Sequence, residues 1–353
     1  MSGSCEAKLS EETCVVLNHV PEAFLERPAS ELSDVLSGPT LFDLPGRDPR
    51  PLFVSTLLHG NEDSGLAAVQ EVLRRRAAQG PPRALLLFIG NIRAATQSLR
   101  MLPDQPDFNR IWPGSALPPS PFLGMARWVY DYAARRRPFA SIDIHNNTGF
   151  NPHYSCVARL EPQSIALALL FSRVVVHSQR PVGTLTNAFT ALCPAITVEC
   201  GRAGGESGKS GAAHAAELLE AALAIAELPA RPAAPRDLDL LRAFAIVKTP
   251  KGASFSFDGS EADFRFRTEL DRLNFSDLSA GESFGRLGAN GARLEIHPGE
   301  SDHEPPEYFD YASGEIRLSR NAIPAMLTLD PNAIRGDCLC YLMHRIGLDG
   351  KKL

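Results

Sequence analysis

The sequence has no apolar run that approaches the roughly 20 residues needed to span a bilayer. It also has no excess of basic residues, because 36 Lys and Arg stand against 41 Asp and Glu, a net charge of −5 at pH 7. This balance gives no electrostatic reason to expect a nucleic acid or a membrane as partner. The N-terminal residues lack the basic and apolar regions of a secretory signal. We therefore expect a cytoplasmic protein that acts on a small molecule.

The seven cysteines show no spacing typical of a zinc knuckle or a redox motif. Their count is odd, and they are scattered as Cys5, Cys14, Cys156, Cys193, Cys200, Cys338 and Cys340. We expect buried, reduced thiols rather than a disulfide framework.

Buried strands alternate with helical segments in the first two thirds of the chain. Apolar runs at 52–58 and 83–89 predict strands, and helical spacing at 64–79 lies between them. Further predicted elements are helix 121–137, strand 140–144, helix 161–171, strand 173–177, strand 195–200 and helix 211–228. This order predicts an α/β fold with a mixed, mostly parallel sheet flanked by helices.

Composition divides the chain into four parts. Residues 1–45 are polar and predict an irregular N-terminal segment, and residues 46–228 carry the α/β pattern. The Pro-rich and Ala-rich stretch 229–236 predicts a linker. Residues 237–353 contain short strand-like runs separated by turns, which predict a small, mainly β domain.

Polar side chains occur at the ends of four predicted strands. His59 and Glu62 follow the first, Arg93 follows the second, and His145 and Glu199 lie at the third and fourth. Ligands of α/β sheets bind outside the carboxyl ends of the strands. Two histidines and one carboxylate suit a catalytic zinc, which keeps a fourth position for water. From spacing alone, histidines with structural roles explain the pattern equally well.

Five strings occur together and in order: HGNE at 59–62, GNIRAA at 90–95, DFNRIWPG at 107–114, DIHNNTGF at 143–150 and ITVECG at 196–201. In these strings the chain resembles the succinylglutamate desuccinylase/aspartoacylase family, zinc-dependent deacylases with the zinc carboxypeptidase fold. The resemblance covers roughly residues 50–225. It implies that residues 46–228 form a zinc-dependent catalytic domain, and the β-rich tail fits the smaller C-terminal domain of that family.

The resemblance also implies roles for single residues. His59, Glu62 and His145 match the family's zinc ligands, with one Zn²⁺ per chain. Glu199 matches its catalytic carboxylate, a general base and then a general acid. Arg93 matches the arginine that polarises the scissile carbonyl. The expected activity is hydrolysis of the amide bond of a small N-acyl amino acid or related acylated amine.

The match also extends to substrate binding, with one departure from the family. Asn109 and Arg110 match the pair that binds a substrate carboxylate, so we expect a small-molecule substrate that carries one. Aspartoacylases bring a further basic residue from the segment before the catalytic glutamate, whereas 189–198 contains no Arg, Lys or His. A second substrate carboxylate would need another cation, for which Arg180 and Arg202 are the nearby candidates.

Alternative functions stay open from the sequence. A zinc carboxypeptidase or an esterase would use the same fold and ligands, and a non-catalytic metal-binding protein is a further class. The string AGGESGKS at 203–210 fits a relaxed P-loop pattern, so a nucleotide-binding enzyme is a further alternative, but Ala203 stands where the strict pattern has Gly. The sequence does not determine the oligomeric state, and a homo-oligomer is one of the states it allows.

Overall fold

The computed structural model describes residues 14–299 and 307–353. Residues 1–13, which include Cys5 and the start of the predicted N-terminal segment, lie outside these ranges. In chain order the strands are β1 (Val15–Leu17), β2 (Thr40–Leu44), β3 (Asp48–Thr56), β4 (Arg83–Ile89), β5 (Ala140–Asn147), β6 (Tyr154–Val157), β7 (Val174–His177), β8 (Ala195–Arg202), β9 (Asp239–Lys248), β10 (Phe255–Ser256), β11 (Phe264–Phe266), β12 (Ser283–Leu287), β13 (Glu295–Pro298), β14 (Phe309–Asp310), β15 (Glu315–Leu318), β16 (Ile323–Ala325) and β17 (Cys340–Arg345). The helices are α1 (Ser64–Arg76), α2 (Ile92–Ala95), α3 (Pro121–Arg136), α4 (Pro162–Leu169), α5 (Leu185–Phe189), α6 (Gly205–Ala224) and α7 (Pro331–Gly336).

The chain folds into two compact units, each assembled from separate stretches of sequence. The first contains the residues up to His145 together with Pro181–Val198 and Ala212–Leu228. The second contains Asn146–Arg180, Glu199–Gly211 and Pro229–Leu353. In the described part of the chain, no helix has both the length and the apolar character needed to cross a bilayer.

In the first unit the strand order is β1-β2-β4-β3-β5. β3 pairs in parallel with β4 and with β5, in a register that sets Ser55 beside Asp143. Every residue of β4 and β5 is buried, as expected for central strands of a parallel sheet. Three aromatic side chains pack together in this unit. The ring centroid of Trp112 lies 5.7 Å from that of Phe88 and 5.9 Å from that of Phe189.

The second unit contains two groups of strands. The first has the order β6-β7-β9-β17-β16, and β13 also pairs with β9. β7 is parallel to both β6 and β9, whereas β17 and β13 are antiparallel to β9. The second group is a five-stranded sheet with the order β10-β11-β12-β15-β14. Its core is rich in phenylalanine and leucine, among them Phe264, Phe284 and Phe309.

The structure confirms the predicted fold class, a mixed and mostly parallel sheet with flanking helices and a separate β-rich C-terminal sheet. The predicted strand 83–89 coincides with β4.

Two predictions about local structure are wrong. The N-terminal segment is not irregular throughout, because β1 and β2 form there and β2 pairs with β4. The helix expected from residue 211 begins at Gly205, because a glycine-rich stretch that looks like a loop is helical in its tertiary context. Residues 229–236, the predicted linker, are largely exposed. The C-terminal part that follows them belongs to one unit with residues 146–180 and 199–211.

Candidate metal centre and active site

His59 and Glu62 lie on the tight turn between β3 and α1. The backbone leaves β3 through Leu57, whose φ of 55° is rare for a residue with a side chain. Gly60 is required by space, because a Cβ atom there would lie 2.2 Å from the backbone nitrogen of Ala95. The amide of Glu62 donates to the carbonyl of His59 at 3.2 Å. The turn therefore holds both side chains in a defined geometry.

His145 arrives from β5 and completes a buried triad with these two residues. The Nδ1 atom of His59 lies 2.9 Å from Oε1 of Glu62, and Nδ1 of His145 lies 2.8 Å from Oε2. The candidate ligand atoms of the three residues lie within 4.8 Å of one another. Their side chains are at most 7% exposed. The structure thus brings together the three residues predicted as metal ligands.

The donor set of the triad fits zinc. Both imidazoles direct Nδ1 toward one carboxylate, so each of these short contacts needs a proton or a cation between the two atoms. Two imidazole nitrogens and a carboxylate oxygen form a ligand set found in catalytic zinc sites, in which a fourth position stays open. Mg²⁺ and Ca²⁺ prefer ligand sets made only of oxygen atoms, whereas this triad supplies two nitrogen atoms and a carboxylate.

Each histidine of the triad is supported by a carboxylate at its other ring nitrogen. Nε2 of His59 lies 2.9 Å from Oδ1 of Asp107, and Nε2 of His145 lies 2.8 Å from Oδ2 of Asp143. The hydroxyl of Ser55 donates to the second oxygen of Asp143. An ionised carboxylate can only accept, so Nε2 donates and Nδ1 is the atom left for a metal. Such support orients the ligands of metal sites and strengthens their binding.

The charges of the triad and its supporting carboxylates shift one another's pKa values. Burial raises the pKa of Glu62, but the nearby charges and hydrogen bonds of His59 and His145 outweigh it, so the pKa lies well below its usual range. Burial lowers the pKa of His145, but the charges of Asp143 and Glu62 outweigh it and the pKa lies well above its usual value. Without a metal, the site therefore holds a carboxylate and a protonated His145, the charge distribution that a bound cation would replace.

Two arginines after β4 form ion pairs, and those of Arg100 include the triad. Arg100 donates to Glu62 at 3.3 Å and to Asp107 at 2.9 Å. Arg93, the residue predicted to polarise the carbonyl, lies on α2 and donates to Asp104 at 3.1 Å. The Asp104 side chain is 61% exposed, whereas that of Glu62 is 7% exposed. Arg100 therefore contacts Glu62 of the triad, and the sequence analysis missed it.

Asn109 and Arg110 lie in the loop that follows α2. The amide nitrogen of Asn109 lies 3.3 Å from Nε2 of His145, and its Oδ1 accepts from the backbone of Leu185 at 3.0 Å. The guanidinium of Arg110 donates to the carbonyl of Asn109 at 2.8 Å. Asn109 is thus packed beside the triad, and Arg110 is a half-buried cation of the same loop. Their binding of a substrate carboxylate stays a prediction.

Glu199, the predicted general base, lies in β8 and is half-buried. The charge of Glu199 acts on Tyr154 and Cys156. Burial raises the pKa values of both groups, and the negative charge of Glu199 raises these pKa values further. The carboxylate therefore contributes negative charge to this part of the second unit. Its catalytic role stays a prediction.

Sequence comparison decides the family. A model of the succinylglutamate desuccinylase/aspartoacylase catalytic domain matches residues 49–226. The chain belongs to this family. The matched range includes every predicted site residue. The comparison with curated proteins gives no match.

Solved structures of the family share the fold of this chain. A succinylglutamate desuccinylase from Chromobacterium violaceum is similar with a TM-score of 0.54 and 17% identity, over 86% of this chain and 87% of that one. A succinylglutamate desuccinylase/aspartoacylase from Rhodobacter sphaeroides gives 0.56 and 14%, over 87% and 89%. Murine aminoacylase 3 gives 0.53 and 15%, over 85% of this chain and 96% of that one. At these identities the similarity concerns the fold.

The string that resembles a P-loop has a different conformation. α6 begins at Gly205, so most of 203–210 is helix rather than a loop that could surround a phosphate. Lys209 extends into solvent and pairs with Glu206 at 3.0 Å. A Cβ atom at Gly211 would lie 2.1 Å from the carbonyl oxygen of Cys200, so close packing against β8 accounts for this glycine. The geometry gives the nucleotide-binding alternative no support.

Proposed function

We propose that the protein is a zinc-dependent hydrolase that cleaves the amide bond of a small N-acyl amino acid or a related acylated amine. The family to which the chain belongs is named for two amide-bond hydrolases, succinylglutamate desuccinylase and aspartoacylase. The observation that carries the proposal is the buried triad of His59, Glu62 and His145, with each histidine supported by a carboxylate.

One zinc ion per chain would be held by these three side chains. When bound, zinc supplies a Lewis acid that can lower the pKa of a water ligand to about 7 and polarise a carbonyl. Asp107 and Asp143 would keep the two imidazoles in the tautomer that leaves Nδ1 free for the metal. The protein thereby determines which atoms face the ion.

Glu199 would move the proton of the reaction. As the base, its carboxylate takes a proton from the attacking water, whose oxygen bonds to the acyl carbon. As the acid, it delivers that proton to the amide nitrogen while the carbon–nitrogen bond breaks. The products are a carboxylic acid and an amine. This role comes from the resemblance of ITVECG at 196–201 to the family's motif.

A cation would stabilise the negative charge that develops on the carbonyl oxygen. The resemblance assigns this role to Arg93, and Arg100, which contacts Glu62 and Asp107, is a second candidate. Replacing each by Ala decides between them. Asn109 and Arg110 would bind the substrate carboxylate, because a guanidinium presents paired donors to a carboxylate.

The substrate would carry one firmly bound carboxylate. The segment 189–198 supplies no cation for a second one, and an unpaired buried charge costs several kcal/mol. N-acyl amino acids with neutral side chains should then be hydrolysed at least as well as N-acetylaspartate or N-succinylglutamate. Arg110→Ala should raise KM mainly for substrates that bear a carboxylate.

The test is a panel of N-acyl amino acids assayed with zinc-loaded protein. We expect release of a free amine by the wild type and none by His145→Ala. Glu206→Ala, at an exposed position on α6, is the matched control and should retain activity. Hydrolysis of peptides or esters alone would support the carboxypeptidase or esterase alternative instead. A preference of about a hundredfold for N-acetylaspartate or N-succinylglutamate would refute the single-carboxylate proposal.

A further inference from the structure

A fully buried serine lies beside the carboxylate that supports His145. β3 and β5 pair in parallel, in a register that makes Ser55 the neighbour of Asp143. Neighbouring residues of paired strands direct their side chains to the same face of the sheet. The hydroxyl of Ser55 donates to Oδ1 of Asp143, and both residues are inaccessible to solvent. The pairing of two central strands therefore connects a hydrogen-bond donor, through one residue, to the metal triad.

The two oxygens of Asp143 have different partners. Oδ1 accepts from Ser55, and Oδ2 lies 2.8 Å from Nε2 of His145. The side chain itself restricts the rotation of its carboxylate only weakly, so the contacts of the two oxygens set the plane of the group. That plane decides how Oδ2 meets the imidazole, whose other nitrogen lies 2.8 Å from Oε2 of Glu62. The hydroxyl of Ser55 therefore bears on the orientation of a candidate metal ligand.

The carboxylate that supports the other histidine of the triad is held differently. Asp107 accepts from the backbone amide of Asn109 at 2.7 Å and from the guanidinium of Arg100 at 2.9 Å. In the part of the chain that the structure describes, Ser55 is the one donor to Asp143 besides the imidazole. A hydroxyl satisfies the oxygen and leaves the negative charge of the carboxylate uncompensated, so this charge acts on the ligand. No second donor would hold Asp143 if the hydroxyl were lost.

We propose that Ser55 is a positioning residue of the metal site. Its hydroxyl holds the carboxylate of Asp143 in the plane that directs Nδ1 of His145 toward the ion. The proposal rests on the zinc site of the proposed function, and it adds a residue that lies outside the five strings of the family resemblance. Loss of a residue that supports a metal ligand weakens metal binding about 10- to 100-fold. Because Ser55 acts through one further residue, we expect the lower end of that range.

Zinc affinities of matched serine variants, measured by competition with a zinc-binding dye, test the proposal. Ser55→Ala removes the hydroxyl and should bind zinc about tenfold more weakly than the wild type. Ser55→Thr keeps a hydroxyl and suits a strand, so its affinity should lie within about threefold of the wild type. Ser55→Val has the shape of the threonine variant without its hydroxyl and should bind as weakly as Ser55→Ala. This pair decides the proposal if Ser55→Ala does not fold.

Ser141→Ala is the matched control, and it should bind zinc as the wild type does. Ser141 is as buried as Ser55 and lies in β5, two residues before Asp143. Its hydroxyl has no hydrogen-bond partner in residues 14–299 or 307–353. The control therefore makes the same chemical change in the same sheet without touching the support of the ligand, and an equal loss of affinity in Ser141→Ala would overturn the proposal.

Two further measurements separate positioning from a purely structural role. With Co²⁺ in place of Zn²⁺, Ser55→Ala should change the visible absorption of the ion, because a rotated imidazole alters the ligand geometry. Ser141→Ala should leave this spectrum unchanged. Added to Asp143→Ala, the Ser55→Ala change should lower zinc affinity by less than about twofold, since the carboxylate through which it acts is gone. A further tenfold loss in the double variant would overturn the proposal.

Zinc affinity is measured without a substrate, which separates this proposal from the proposed function. A folded Ser55→Ala protein that binds zinc within about twofold of the wild type, with an unchanged Co²⁺ spectrum, would overturn the role of Ser55 even if the wild type hydrolyses amides. A wild type that binds zinc and hydrolyses no N-acyl amino acid would refute the proposed function. Weaker zinc binding by Ser55→Ala would then still support the role of Ser55.

Discussion

Replacing Asp143 by Asn should weaken metal binding without unfolding the protein. Asp143 is fully buried, and its carboxylate accepts from Ser55 and faces Nε2 of His145 at 2.8 Å. Asparagine has nearly the same shape, and its carbonyl oxygen can still accept from His145. The variant therefore loses the negative charge and keeps a neutral hydrogen bond.

The size of the effect follows from that difference. A hydrogen bond to an ionised group is roughly twice as strong as a neutral one. The loss is then about 1.4 kcal/mol, or close to tenfold in metal affinity. Asp143→Ala removes both contacts and leaves the Ser55 hydroxyl without its acceptor, so its loss should approach the hundredfold limit seen for such supporting residues.

Competition with a zinc-binding dye measures these affinities, and thermal unfolding checks that each variant is folded. Asp131→Asn is the matched control, because Asp131 is 42% exposed on α3 and pairs with Arg127. Folded Asp143→Asn protein that binds zinc within about twofold of the wild type would refute the reasoning. A loss of the same size in Asp131→Asn would do so as well.

Three further predictions concern catalysis and pH. Glu199→Gln should keep bound zinc and lose at least about a hundredfold in kcat, measured in the amide assay, and near wild-type turnover would exclude its role as base. Replacing by Ala whichever of Arg93 and Arg100 stabilises the carbonyl oxygen should lower kcat about a hundredfold or more; a loss under about tenfold in both variants would exclude both. The raised pKa of His145 stabilises the metal-free protein fully below about pH 6.5, and this contribution is lost as the pH rises through the folded-state pKa. A metal that binds His145 has to displace that proton, so metal binding strengthens as the pH rises. Removing the metal with a chelator should therefore lower Tm more at pH 8.5 than at pH 6. An equal drop in Tm at both pH values would contradict this.

Elements with a strong local pattern could be predicted from the sequence. The uninterrupted apolar run of β4 and the helical spacing of α1 appear where they were expected. β2 was missed because five residues are too few to show a clear hydrophobic pattern. The strand forms through its antiparallel pairing with β4. β17 was missed for the same reason, since it pairs with β9 about a hundred residues earlier.

The ligand set could be predicted because HGNE at 59–62 and DIHNNTGF at 143–150 resemble the motifs of a family, whereas strand ends alone left structural histidines equally possible. Residues 94–120 have no periodicity, so the sequence did not reveal what Arg100 and Asp107 contact. The contact of Asp107 with His59 depends on the path of that loop, and its identification needed the structure. The string at 203–210 was ambiguous because glycines at the start of a helix, here Gly205, give the same composition as a phosphate-binding loop.

The zinc content of the purified protein tests the central claim most directly. Elemental analysis of the wild type should give about one zinc per chain, and His59→Ala and His145→Ala should lose both the metal and amide hydrolysis. Glu206→Ala should match the wild type in both. A wild type that contains no metal and gains no activity with added zinc would contradict the account.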